Sequence, residues 1–279
     1  MIRILKYKSS FTDYSNELNT YKTLTALIDL ESDSTLYIGQ RYPFNGLSFK
    51  FDTVNDQASV LSIQYWDGSN WRSVVETSDG TSNSGATFGK DGDITWVPNK
   101  NYRWNYDDTV KTDGTTQITN MGDVTIYDQY WVKFTFSGSL KATAALKWVG
   151  NLFCSDNDLF AEHPVLNNTD FLTSIESTKT DYEEQRVIAS KDVINDLIQR
   201  EIIVHQGQIL DRDKLRLMTV SQTAYIIYKM LGTDYNDERD LAQKDFNNRR
   251  NLKIYNVDKD KDGRLDNHEI LRSTSLSRR

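Results

Sequence analysis

The chain has 279 residues, of which 38% are hydrophobic and 26% charged, and its formal net charge is −7. That length holds two domains of ordinary size, and no apolar run approaches the ~20 residues that span a bilayer. The acidic balance argues against a protein whose main surface binds DNA non-specifically, because such surfaces need clustered Lys and Arg, though it leaves room for a local basic patch.

Residues 1–10 carry basic side chains without the apolar core or small-residue cleavage site of a secretory signal. From about Leu24 to Phe153 the pattern is that of strands. Apolar and polar residues alternate in Leu47–Phe51 and Leu61–Tyr65, and nearly so in Trp131–Phe136. Alternation with period two sets one face on a core and the other in water. Asp67-Gly68, Asp79-Gly80, Asp91-Gly92, Asp113-Gly114 and Ser137-Gly138 fall between the runs and supply the positive φ of tight hairpins. Short strands at this spacing predict an antiparallel β-sandwich, jelly-roll-like, or a barrel. All 6 Trp lie between Trp66 and Trp148. Rings such as Tyr65, Trp66, Trp71, Trp96, Trp104, Tyr130 and Trp131 either fill a core or interface, or stack on sugars. Trp71 and Trp131 stand at inward-compatible strand positions, which favours the core.

Cys154, the single cysteine, leaves no disulfide or CxxC metal site and reads as a small buried hydrophobe. From about Asp156 the period becomes helical, so the boundary falls near 153–170. Residues Asp181–Val204 place Val187, Ile194, Leu197, Ile198 and Ile202 on one face. Leu217, Ala224, Ile227, Tyr228 and Leu231 repeat the pattern, with Asp213 in the N-cap region and Gly232 as the stop. A third, more charged and more exposed helix is predicted over Asp237–Leu252. The fold class is therefore α+β: a β-sandwich domain over 1–155, an α-helical bundle over 156–255, and a loop with a basic tail over 256–279.

That loop, Asp258–Glu269, fits the EF-hand pattern. Asp258, Asp260 and Asp262 take the first, third and fifth positions, where carboxylates converge on a hard cation. Gly263 permits the sharp turn, Arg264 offers its backbone carbonyl, Asp266 binds directly or through water, and Glu269 closes the set bidentately from the start of a following helix. Leu265 ties the loop to a core, and His268 points away from the ion. The cofactor expected is calcium. With no second loop, a structural clip is favoured over a sensor.

Catalytic patterns are missing. His163, His205 and His268 stand in no metal spacing, and there is no GxSxG, GxxxxGK[ST] or GxGxxG. Asp91 and Asp93 could in principle serve glycosidic chemistry, yet read equally as turn residues. No enzyme activity and no small-molecule substrate are expected.

Several segments together carry a family resemblance. They are the helical runs Ile188–Ile198, Ala224–Leu231 and Asp240–Phe246, followed by an acidic, Gly-containing loop. Tyr65–Trp71 and Tyr130-Trp131-Val132 add to it in the β region. The helical part resembles head-tail connector (adaptor) proteins of tailed bacteriophages, the rings that dock below the portal. The β part is similar to β-sandwich modules of phage virion proteins. The resemblance implies a non-catalytic virion protein at the head-tail junction, made in the host cytoplasm. It further implies a dodecameric homo-oligomeric ring contacting the portal protein and tail-side neck proteins, with packaged DNA within reach in the channel. In such an assembly the tail would act as an arm, with Arg272, Arg278 and Arg279 meeting acidic partners. The simplest connectors are all-helical, so the added β domain leaves a tail, collar or capsid-decoration role open. A calcium-dependent carbohydrate-binding module is the alternative from another class.

Overall fold

The computed structural model describes residues 2–8, 11–21, 28–29, 34–101, 104, 106–107, 110–111, 117–118, 129–251, 254–264 and 270–272. The protein is α+β, with antiparallel sheets in the N-terminal part and helices in the C-terminal part. It divides into two compact units: Met1–Gly150 together with Asp258–Arg264, and Asn151–Val257 together with Leu265–Arg279.

In the first unit one sheet runs in the order Phe11–Asp13, Arg3–Tyr7, Thr35–Gln40, Gln129–Phe136, Leu61–Trp66, Trp71–Ser73, with Tyr106–Asp107 also paired to Gln129–Phe136. The other runs Ile28–Asp29, Ala145–Gly150, Gly46–Thr53, Gly92–Val97, Glu76–Asp79. A short helix, α1 (Ser15–Asn19), follows the first hairpin. Alternation decides which side chains meet. Ile4, Ile38, Ile63, Val132 and Phe134 of the first sheet join Leu47, Phe49, Ile94 and Leu146 of the second in one core. Phe134 touches both Phe49 and Trp96, with ring centroids 5.8 and 5.7 Å apart.

The residues between those positions point the other way. Leu5, Tyr37, Trp66 and Trp131 form a separate buried cluster, with Tyr7, Phe11 and Trp71 packed on it. Trp131 is therefore buried on the face opposite the main core, and Trp71 is only partly buried, with the Lys133 ammonium 5.0 Å from its ring centroid. Gln129–Phe136 sets Tyr130, Val132, Phe134 and Phe136 on the main-core face and Trp131 on the other, in line with Gln129, Lys133 and Thr135. Gly39 makes room for this layer: a Cβ there would lie 2.8 Å from the Trp131 ring.

The second unit holds α2 (Asp156–Glu162), α3 (Thr169–Ile175), α4 (Glu183–Gln199), α5 (Arg216–Leu231) and α6 (Asn236–Arg250). In α2, Ser155 and Asp158 form a reciprocal capping box, and Asn168 caps α3. These two helices lie where the sequence pattern shows a polar connection. Helix α4 buries Val187, Val193, Ile194 and Leu197 but leaves Ile198 exposed, and it stops at Gln199. Helix α5 buries Ala224, Ile227 and Tyr228, leaves Leu217 exposed, and ends on Gly232 with φ 97°. Helix α6 buries only Ala242 and Phe246. Cys154 is buried, and burial pushes its thiol up to about 12, so it stays an unreactive packing group.

His163, just past α2, lies edge-on to Tyr228 with centroids 5.9 Å apart. Burial, then the nearby Arg249 guanidinium, lowers its pKa. A folded pKa below the unfolded value of about 6.5 means the unfolded chain takes up this proton first. The stabilising contribution is therefore full above that pH and is lost as pH falls towards the folded value. The expected result is a lower melting temperature at about pH 5.5 than at about pH 7.5, with a smaller drop for His163→Gln. Equal drops in the two proteins would remove His163 from the account.

Candidate metal centre

Asp258 begins the loop and is 0% exposed. A buried carboxylate needs donors or a cation. Its Oδ1 accepts the Lys261 N–H at 2.6 Å and its Oδ2 accepts the Gly263 N–H at 3.0 Å. Asp262 Oδ1 accepts the Arg264 N–H at 2.7 Å. The turn takes the left-handed region twice, at Lys261 (φ 64°) and Gly263 (φ 74°). Glycine adopts the second at no steric cost, and the space beside it is tight. A Cβ on Gly263 would lie 3.2 Å from Trp104 Cε3 and 3.3 Å from Pro43 Cβ and Pro98 Cγ.

This turn brings one carboxylate oxygen from each of Asp258, Asp260 and Asp262 within 4.8 Å of one another. Oxygens bound to one Ca²⁺ at 2.3–2.6 Å are separated by at most about 5 Å, so the spacing suits a shared ion. A carboxylate oxygen has more than one lone pair, so accepting a backbone N–H does not by itself bar it from a metal. Asp258 is buried, Asp262 partly so and Asp260 exposed, which gives the cluster a closed side and an open side. The donors are all hard oxygens, the set preferred by Ca²⁺ or Mg²⁺ over softer metals.

Arg264, expected to supply a carbonyl, has a second use. Its guanidinium donates to the Pro98 carbonyl at 2.9 Å. Asp266 and Glu269 lie outside the described residues, as do Arg278 and Arg279. Arg272 stands in the strand Ile270–Arg272, in register with Ile254.

The elements bracketing the loop differ from the EF-hand expectation. Antiparallel strands Ile254–Asn256 and Ile270–Arg272 flank it, with Asn256 opposite Ile270. Both strands are short and rich in β-branched and large apolar residues, a composition that pairs readily as a ladder. A hairpin closes the loop by hydrogen bonding across its two ends, which the helix-loop-helix arrangement does not do.

Five of the tryptophans offer little ring surface to a ligand. Trp66, Trp96, Trp104, Trp131 and Trp148 are each no more than 2% exposed. The sequence pattern gave no sign that Tyr42, Pro43, Pro98 and Trp104 would surround the loop. Prolines and a glycine carry no periodic signal, and 166 positions separate Pro98 from Arg264.

No protein-family model matches the chain, and no curated protein matches it by sequence. Among the described residues no helix is long and apolar enough to cross a membrane.

Proposed function

We propose that the protein is a non-catalytic structural component of a tailed-phage virion, of the head-tail connector type, carrying Ca²⁺ in the Asp258–Glu269 loop. The observation that supports this most is the helical unit. It presents α4, a polar connection, an enclosed α5 and an open α6 in the order that the resemblance implies. Leu217 (42%), Met230 (51%) and Leu241 (55%) remain exposed on α5 and α6, and in this reading neighbouring subunits cover them. In this reading the two sheets form a β-sandwich module that decorates or extends the ring. The ring is a dodecamer that meets the portal and tail-side neck proteins, and the basic tail with Arg272, Arg278 and Arg279 reaches acidic partners.

The glycan-binding reading is the weaker one. A sugar stacks on an exposed ring face, and five tryptophans are buried. Light scattering on the purified chain, alone and mixed with the portal protein of the same phage, tests the proposal. The expected result is a ring-sized particle, or a monomer that assembles when portal is added. A chain that stays monomeric with portal and binds an immobilised glycan would overturn it. A ring that ignores portal would move the protein to a collar, tail or capsid-decoration position.

A further inference from the structure

We infer that residues Asp258–Arg264 are a strap: a turn delivered by the helical unit that completes the β unit, and whose docking makes the two units unfold together. The strap needs no bound ion and does not depend on the metal reading above.

The turn groups with Met1–Gly150, although its sequence neighbours on both sides belong to the helical unit. The chain therefore passes between the units three times, after Gly150, after Val257 and after Arg264. Both ends of the turn are held on the helical side. Val257, just before it, is 2% exposed and shares a core with Leu197, Ile209 and Met218. Beyond it, Ile270–Arg272 pairs back onto Ile254–Asn256. The turn itself is seated on the β unit. Gly263 is buried against Trp104, Pro43 and Pro98, and the Arg264 guanidinium donates to the Pro98 carbonyl at 2.9 Å. The Lys261 ammonium lies 4.9 Å from the Tyr42 ring centroid.

The shape that fits this seat is set inside the turn, by the Lys261 and Gly263 N–H groups donating to Asp258 and the Arg264 N–H donating to Asp262. A turn that is already shaped loses little further freedom on docking. That advantage lasts while the helical unit is folded and holds both ends. Once it unfolds, the ends are free and docking must bear the entropy of closing a chain between them. Folding of the helical unit thus favours docking, and linkage returns the same factor to the helical unit from a folded β unit.

The sequence supplies a separate probe for each unit. All 6 Trp lie between Trp66 and Trp148, in the β unit, whereas α2 to α6 lie in the helical unit. Thermal unfolding of the full chain in EDTA, followed by Trp fluorescence and by helical circular dichroism, therefore reads the two units independently. Ile227→Ala removes a fully buried side chain of α5, in a core cluster that does not include Val257. It is expected to lower the dichroism midpoint and the fluorescence midpoint together, on the order of 5–10 °C. With Lys261→Ala and Arg264→Ala combined, the two transitions should separate, and Ile227→Ala should then move only the dichroism. A fluorescence midpoint that ignores Ile227→Ala in the otherwise native chain overturns the strap. So does a fluorescence shift of full size after the Lys261 and Arg264 contacts are removed, since the coupling then runs by another route. If Ile227→Ala does not fold, Ile227→Val makes the same comparison with a smaller shift.

Discussion

Asp258→Asn is expected to abolish calcium binding in calorimetric titration, and with it any response of the melting temperature to chelator. Asp258 is the buried member of the cluster, and its two oxygens are committed in different directions at once. Asparagine keeps the shape but replaces one oxygen by an NH₂ group, which neither ligates a cation nor accepts an N–H. One of the Lys261 and Gly263 contacts then becomes donor against donor, in a place water does not reach. In the wild type a ligand that binds only the folded state stabilises it by about 2.7 kcal/mol at a hundredfold excess over its Kd. For a chain of this size that corresponds to a rise of roughly 5–10 °C. The variant should show none of it. Equal heats for Asp258→Asn and wild type would end the calcium assignment.

The turn at Asp258–Arg264 and the clustering of Asp258, Asp260 and Asp262 were legible in the sequence because these residues come from one short run, where spacing follows directly from residue order. The strands were legible for a similar reason, since Leu61–Trp66 and Gly46–Thr53 declare a period of two over their own length. What lay beyond reach depended on partners distant in sequence. Alternation sets Trp131 on the face of Gln129, Lys133 and Thr135, but only the neighbouring strands carrying Tyr37 and Trp66 bury it there. The strands flanking the loop, with cores of Ile254-Tyr255 and Ile270-Leu271, are too short to show any period. Helix α2 is a different case. Its Ser155/Asp158 capping box was present as a local signal, but the helix is only seven residues long and buries only Leu159. The docking corner of the loop had no local signal at all.

Arg186→Ala is expected to cost about 3–5 kcal/mol, the range seen when one partner of a buried ion pair is removed. Arg186 is 7% exposed on α4, and its Nε lies 2.8 Å from Asp156 Oδ1 at the start of α2. That contact falls outside hydrogen-bond angles, so it acts as an ion contact, while another guanidinium nitrogen donates to the Cys154 carbonyl at 3.0 Å. Truncation leaves a largely enclosed carboxylate without its cation and a buried carbonyl without its donor, and it opens a cavity in the helical unit. The pair itself need not be strongly stabilising, because desolvation of both charges offsets most of their attraction. A double variant separates the two quantities. Arg186→Met combined with Asp156→Asn removes the uncompensated charge and keeps most of the volume, so it should recover a large part of the loss in urea unfolding. If the double variant is as unstable as Arg186→Ala alone, the cost lies in the missing bond to Cys154 and in packing rather than in a stranded charge. If Arg186→Ala unfolds at the wild-type midpoint, the tie between α4 and the start of α2 is not holding the helical unit together.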